Sequence, residues 1–98
     1  MAVNSEKYTI ELSGTIADFD LGGDRRVNFI QFNPGAAGDK LVVRVGSSSG
    51  PACFQNVADD ASDEVRAYYY GVPMQLIIDA SECTFSSGAS VIIQLMAG

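Results

Sequence analysis

The chain has 98 residues and a formal net charge of −6, with twelve acidic side chains, six basic ones and no histidine. That is the size of a single domain (1–98) with one modest core and little room for a deep cleft. Apart from Arg25–Arg26 its cations are scattered, which argues against partners such as nucleic acid or an anionic membrane, both of which demand clustered Lys and Arg.

Val, Ile, Leu and Phe supply 26 residues, sixteen of them Val or Ile. β-Branched side chains fit a pleated surface and lose rotamer freedom in a helix, so the bias favours strands. Tyr8, Ile10 and Leu12 alternate with polar residues, the period of a half-buried strand. Residues 15–19 continue in the same vein, and 20–23 form a turn. In 26–32, Val27 and Phe29 face one way and Ile30 and Phe32 the other, a parity switch expected of a bulge or of burial on both sides.

Residues 33–39 form a loop that begins Asn-Pro. Residues 41–45 make a strong strand with Leu41, Val43 and Val45 inward and Val42 and Arg44 opposite. After the loop 46–51, a return strand over 53–57 completes a hairpin. Over 56–70, alternation of Val65, Ala67 and Tyr69 with Arg66, Tyr68 and Tyr70 favours an acidic loop and then a strand. The helical spacing of Val57, Ala61, Val65 and Tyr68 is the competing reading. Residues 71–73 break the chain.

The C-terminal quarter organises the rest: a strand at 74–79, a Ser/Gly-rich connection with a brief strand at 83–85, and a strand at 90–96, the outer two reading as a closing hairpin. In the last strand Val91, Ile93 and Leu95 oppose Ile92, Gln94 and Met96, so it needs cover on both faces. The pattern predicts an all-β fold, a small β-sandwich (jelly-roll-like) or barrel of six to eight short antiparallel strands.

Residues 46–50, Gly-Ser-Ser-Ser-Gly, match the letters of a nucleophile elbow, but Pro51 leads to a strand where a helix is needed and no histidine exists to serve as base. Residues 35–40 have the glycines of a phosphate loop without its Gly-Lys-Ser/Thr ending. Asp18, Asp20 and Asp24, and Asp59, Asp60, Asp63 and Glu64, read as solvated acidic turns, with calcium the competing reading. No catalytic residue, metal or cofactor is expected. Cys53 and Cys83 read as free, buried thiols of a protein made in a reducing cytoplasm, with a bridge between them as the alternative. Tyr68 and Tyr70 share a face and Tyr69 the other, so an interface built from Tyr68, Tyr70, Ile92 and Met96 is expected. A carbohydrate- or calcium-binding module is the alternative function.

The run Lys40-Leu-Val-Val-Arg-Val-Gly46, the Ser-Ser-Ser-Gly-Pro51 that follows, Phe54, Ala80-Ser-Glu-Cys-Thr84 and Ala89-Ser-Val-Ile-Ile-Gln94 resemble small β-rich proteins encoded among the structural genes of bacteriophages and prophages. The resemblance implies a virion-associated domain that assembles with copies of itself, as a homo-oligomer, or with a capsid or tail protein. It assigns no residue a role.

Overall fold

The computed structural model describes residues 2–5 and 7–97. Nine strands form: β1 (Ala2–Ser5), β2 (Thr9–Ser13), β3 (Phe19–Asp20), β4 (Arg25–Asn33), β5 (Lys40–Val45), β6 (Ala52–Val57), β7 (Val65–Met74), β8 (Leu76–Ile78) and β9 (Ser90–Leu95). A 3₁₀ turn, Ala80–Glu82, is the one helical element among the described residues. The helical reading of 57–68 therefore gives way to the loop and strand.

The strands make two antiparallel sheets, β1-β2-β9-β4-β7 and β3-β8-β5-β6. β2 to β9 pair as one long hairpin would: β5 with β6 at its tip, then β4 with β7, β3 with β8 and β2 with β9. Rolling that hairpin up adds the contacts of β4 with β9 and β5 with β8. This winding is a jelly-roll sandwich rather than a barrel.

The core lies between the sheets. Ile10 and Leu12, Val27, Ile30 and Phe32, and Val91, Ile93 and Leu95 from one sheet meet Leu41, Val43, Phe54, Leu76 and Ile78 from the other. Phe32 is fully buried and stacks on Phe85 with centroids 5.6 Å apart.

Five details depart from the sequence pattern. The strand expected through 15–19 shortens to Phe19–Asp20. In β4 the register shifts between Val27 and Phe29, so Asn28 is the bulged residue against β9; Val27 joins Ile30 and Phe32 in the core while Phe29 faces out. β7 runs straight through 71–73, where Gly71 and Pro73 predicted a break, because β7 is an edge strand and proline's missing N–H costs nothing on a free edge. The expected closing hairpin does not form: β8 and β9 belong to opposite sheets, because the connection between them crosses over the end of the sandwich. Cys53 and Cys83 are free, and only half-buried where burial was expected.

Two outer-face strand residues of the second sheet, Val42 and Ile77, are buried as well. The β8–β5 ladder pairs Ile77 with Arg44 and resumes only where Thr84 bridges Lys40. The chain between stands off as the 3₁₀ turn, held by a bidentate Arg44–Glu82 ion pair (Nε to Oε2, 2.9 Å) and by the Cys83 thiol, which donates to the Val42 carbonyl at 3.8 Å.

Asp39, a buried carboxylate, laces one end of the sandwich. It accepts from the Gly35 amide (2.8 Å), the Ala36 amide (3.2 Å), the Ser86 amide (3.1 Å) and the Ser86 hydroxyl (2.7 Å). Its carbonyl accepts from the Ala58 amide at 2.8 Å. The loop that has phosphate-loop glycines thus fills its own amide nest with a carboxylate of the chain. Burial alone would raise the Asp39 pKa, but the Ser86 hydroxyl and the Gly35, Ser86 and Ala36 amides outweigh it and hold the pKa below the ordinary value. A depressed carboxyl pKa adds stability that is complete above the unfolded-chain value of about 3.9 and is lost as pH falls through the lower folded value. Asp39→Asn should therefore cost about 2 kcal/mol at neutral pH, the order expected for hydrogen bonds to a charged acceptor. It should also flatten the loss of stability below about pH 4, both read by urea melts across pH.

Candidate functional site

The outer face of the five-stranded sheet is built in rungs fixed by register. Glu11, Ile92, Gln31 and Arg66 form one rung across β2, β9, β4 and β7; Thr9, Gln94, Phe29 and Tyr68 form the next. Side chains in the middle of this face satisfy one another. Thr9 donates to Gln94 Oε1 (2.9 Å), Gln31 donates to Asn33 Oδ1 (2.9 Å), and Asn33 donates to Ser90 Oγ (3.1 Å). Ile92, among the residues expected at an interface, is half-buried between Glu11 and Gln31.

The β7 side of the face differs. Tyr68 is 49% exposed, Tyr70 80%, Val72 52% and Met96 38%, four of the six large hydrophobics exposed among the described residues. Tyr68 stacks on Tyr70 (centroids 5.9 Å) and tilts against Phe29 (5.7 Å). The Arg66 guanidinium lies 4.4 Å from the Phe29 ring centroid and donates to Gln31 Oε1 from Nε at 2.8 Å. Met96 sits beside the strand: a Cβ at Gly71 would lie 3.0 Å from its sulfur. The structure thus gathers Tyr68, Tyr70 and Met96, and leaves Ile92 two strands away on the same face.

A backbone irregularity presents the most exposed ring. Between Val72 and Tyr68, β7 has three residues opposite the single Asn28 of β4. Tyr70 takes φ +53° and Gly71 φ +86°. The left-handed region costs a side chain with a Cβ roughly 1–2 kcal/mol, yet a tyrosine occupies it and points to solvent. Arg26 braces the bulge, donating from Nε to the Gly71 carbonyl (3.2 Å) and from Nη1 to the Ala97 carbonyl (3.0 Å). Tyr69, between the two outward rings, turns inward against the core and its hydroxyl donates to the Cys53 carbonyl. Burial, with Cys53 beside it, pushes its pKa up to about 12.

Arg66, Phe29, Val72 and Arg26 belong to this surface without having been among the interface residues expected from the sequence. Arg66 shares the parity of Tyr68 and Tyr70 and was legible there; Val72 was hidden between Gly71 and Pro73.

The other motifs are put to structural use. Gly46-Ser47-Ser48-Ser49-Gly50 is the β5–β6 connection, closed by the Gly50 amide donating to the Ser47 carbonyl at 3.0 Å. Asp18 accepts from the Ala80 amide (2.9 Å), and Asp20 from the Gly22 amide (2.7 Å) and Gln75 Nε2 (2.9 Å). Asp60 caps Ser62, and Asp63 accepts from the Asp59 amide at 2.8 Å. No three ligating side chains converge as a metal centre among the described residues. An open cleft of about 490 Å³ is lined by Asp18, Phe19, Asp20, Ser47, Ser48 and Asp79, among others. No described helix is long and apolar enough to cross a membrane. Compared with family models, curated proteins and solved structures, the chain matches none.

The two neighbouring tyrosines should respond in opposite ways to substitution. Tyr70→Gly relieves left-handed strain of roughly 1–2 kcal/mol and forfeits a ring contact of about 0.5–1.5 kcal/mol, so the melting temperature should hold or rise. Tyr69→Phe should cost about 1 kcal/mol through the lost hydrogen bond. Because the Tyr69 pKa is raised, its contribution is full below about pH 10, the unfolded value, and fades as pH rises through its folded value; the phenylalanine variant should lack that alkaline dependence. A Tyr70→Gly protein clearly less stable than wild type would make the ring a structural part of the monomer.

Proposed function

We propose that this chain is a non-enzymatic assembly domain, a structural component of a phage or prophage particle that acts by packing against other protein subunits. The observation that carries the reading is the strip Tyr68, Tyr70, Val72 and Met96 on a sheet edge, with Arg66 and Arg26 beside it. Aromatic residues, Met and Arg are the types enriched where proteins bind proteins, and the rings most often dominate the affinity. A tyrosine held in a costly backbone conformation, 80% exposed and stacked on the outward Tyr68 ring, adds little to the isolated monomer's packing.

The particle setting rests on the sequence resemblance. The jelly-roll winding, an architecture used by viral capsid domains, is compatible with it but assigns no function by itself. A second reading, a carbohydrate-binding module, draws on the cleft beside Phe19, where Asp18, Asp20 and Asp79 are oriented through Oδ1 and the serine hydroxyls of 47 and 48 line the rim. The β7 strip favours the assembly reading.

The test is to band particles from a producing culture on a density gradient and quantify this chain by mass spectrometry. The expected result is a fixed ratio of this chain to the major capsid or tail subunit. Recovery only in the unassembled fraction overturns the particle role.

A further inference from the structure

We infer that the exposed edge of β7 pairs with β7 of a second copy, antiparallel about a two-fold axis near Tyr69, to make a closed dimer. The inference rests on the reading that the domain works by protein contact, and adds the partner and its geometry.

The loop that leads into β7 and the far end of β7 carry opposite charge, with Arg66, one residue into the strand, laid back over Phe29 and Gln31. Val65 pairs with Phe32 at one end, next to the loop 58–64, which holds Asp59, Asp60, Asp63 and Glu64 and no cation. Met74 and Pro73 pair with Arg25 and Arg26 at the other. Arg25 turns toward β2, donating from Nη2 to the Lys7 carbonyl at 3.4 Å, with Asp24 beside it, so Arg26, whose guanidinium reaches the Gly71 carbonyl, is the cation at the β7 margin. None of these side chains makes an ion pair among the described residues, where Arg44–Glu82 is the only one; Arg25 and Arg26 donate to backbone carbonyls instead. Between the ends stand Tyr68, Tyr70 and Val72.

An antiparallel arrangement of two such edges sets each acidic loop beside the other copy's Arg26, with Arg25 the next cation behind it on β4, and symmetry makes that contact twice. With the axis near Tyr69, Tyr68 of each copy falls opposite Tyr70 of the other. A parallel arrangement would instead oppose like charges. An isologous contact of this kind is used up on both copies at once, so growth stops at two. The bulge at Tyr70–Gly71 and the missing N–H of Pro73 limit any continuous backbone ladder, so side chains rather than strand hydrogen bonds carry the pairing.

Sedimentation and light scattering of the full chain test this directly. The wild type should be a dimer whose Kd rises with salt, because exposed charge contacts are screened. Arg25→Glu with Arg26→Glu, or Asp63→Lys with Glu64→Lys, should each raise Kd by about tenfold or more. Mixing these two variants should restore a one-to-one dimer, since the intact acidic loop of the first then meets Arg25 and Arg26 of the second while the new lysines of the second meet the new glutamates of the first; this also certifies that both fold. Tyr70→Gly should weaken dimerisation, while at a concentration where both proteins are monomers its melting temperature should not fall below that of the wild type. A monomer throughout, growth past two, or charge variants that still dimerise would each overturn the pairing. A monomeric chain that is nonetheless present in particles overturns the pairing alone, whereas a dimer missing from particles overturns the particle role alone.

Discussion

The Asp39 carboxylate is the constraint on which the wound hairpin depends. A jelly roll must pass the chain between its sheets repeatedly, and the crossings leave backbone amides with no ladder to join. Here the β4–β5, β6–β7 and β8–β9 connections meet at one residue: Asp39 takes amides from 35, 36 and 86 through its side chain and the Ala58 amide through its carbonyl. Packing is as tight as the bonding, since a Cβ on Gly35 would lie 2.1 Å from the Ser86 hydroxyl. The opposite end is closed more lightly, by the Leu21 amide on the Leu76 carbonyl and the Gly46 amide on the Gln75 carbonyl, both at 2.9 Å. Fixing Ala58 fixes where the acidic loop 58–64 leaves the sandwich, so the internal anion also positions the surface charge at the head of β7.

Apolar residues on both faces of a strand carry different meaning in the two sheets. In the second sheet, Val42 and Ile77 are covered from within, beneath the 3₁₀ turn that Arg44 and Glu82 pin down. Their burial says nothing about a partner. In the first sheet, Ile92 is shielded by its neighbours, and its rung is closed by Gln31 and Arg66. What remains uncovered is one margin of that sheet, where the aromatic residues sit on a strand with no further strand beyond it. Of the four residues the sequence pattern grouped, Tyr68, Tyr70 and Met96 thus stand together at this margin and Ile92 does not.

Much of this was legible in the residues because alternation is a local signal. Leu41, Val43 and Val45 and the inward set of β9 needed only period two, and the parity switch in β4 announced a bulge, which the structure places at Asn28, before Phe29 rather than after it. Tyr68 and Tyr70 were placed together for the same reason. What local pattern cannot carry is topology: strands at 76–78 and 90–95 look like partners across a Ser/Gly-rich link, and only the wrap of the whole hairpin sends them to opposite sheets. Gly71 and Pro73 misled because their meaning depends on strand position. In a central strand they would end the ladder; at an edge they continue it with a bulge. Asp39 was hidden because its five donors come from residues up to 47 positions away.

An edge strand rich in tyrosine is ordinarily a hazard, a template for uncontrolled pairing. β7 has devices that answer this hazard, and they are unevenly placed. The bulge at Tyr70–Gly71 breaks the pleat, and Pro73 removes a donor. Neither device hides the rings; the bulge in fact pushes Tyr70 outward to 80% exposure. If protection from aggregation were the only demand, a lysine at position 70 would serve better and an asparagine or glycine would suit the left-handed backbone at lower cost. The combination instead blocks backbone pairing while displaying aromatic surface between unlike charges, which selects for contacts that match side chain to side chain. Such a surface favours a finite, oriented contact over a growing sheet.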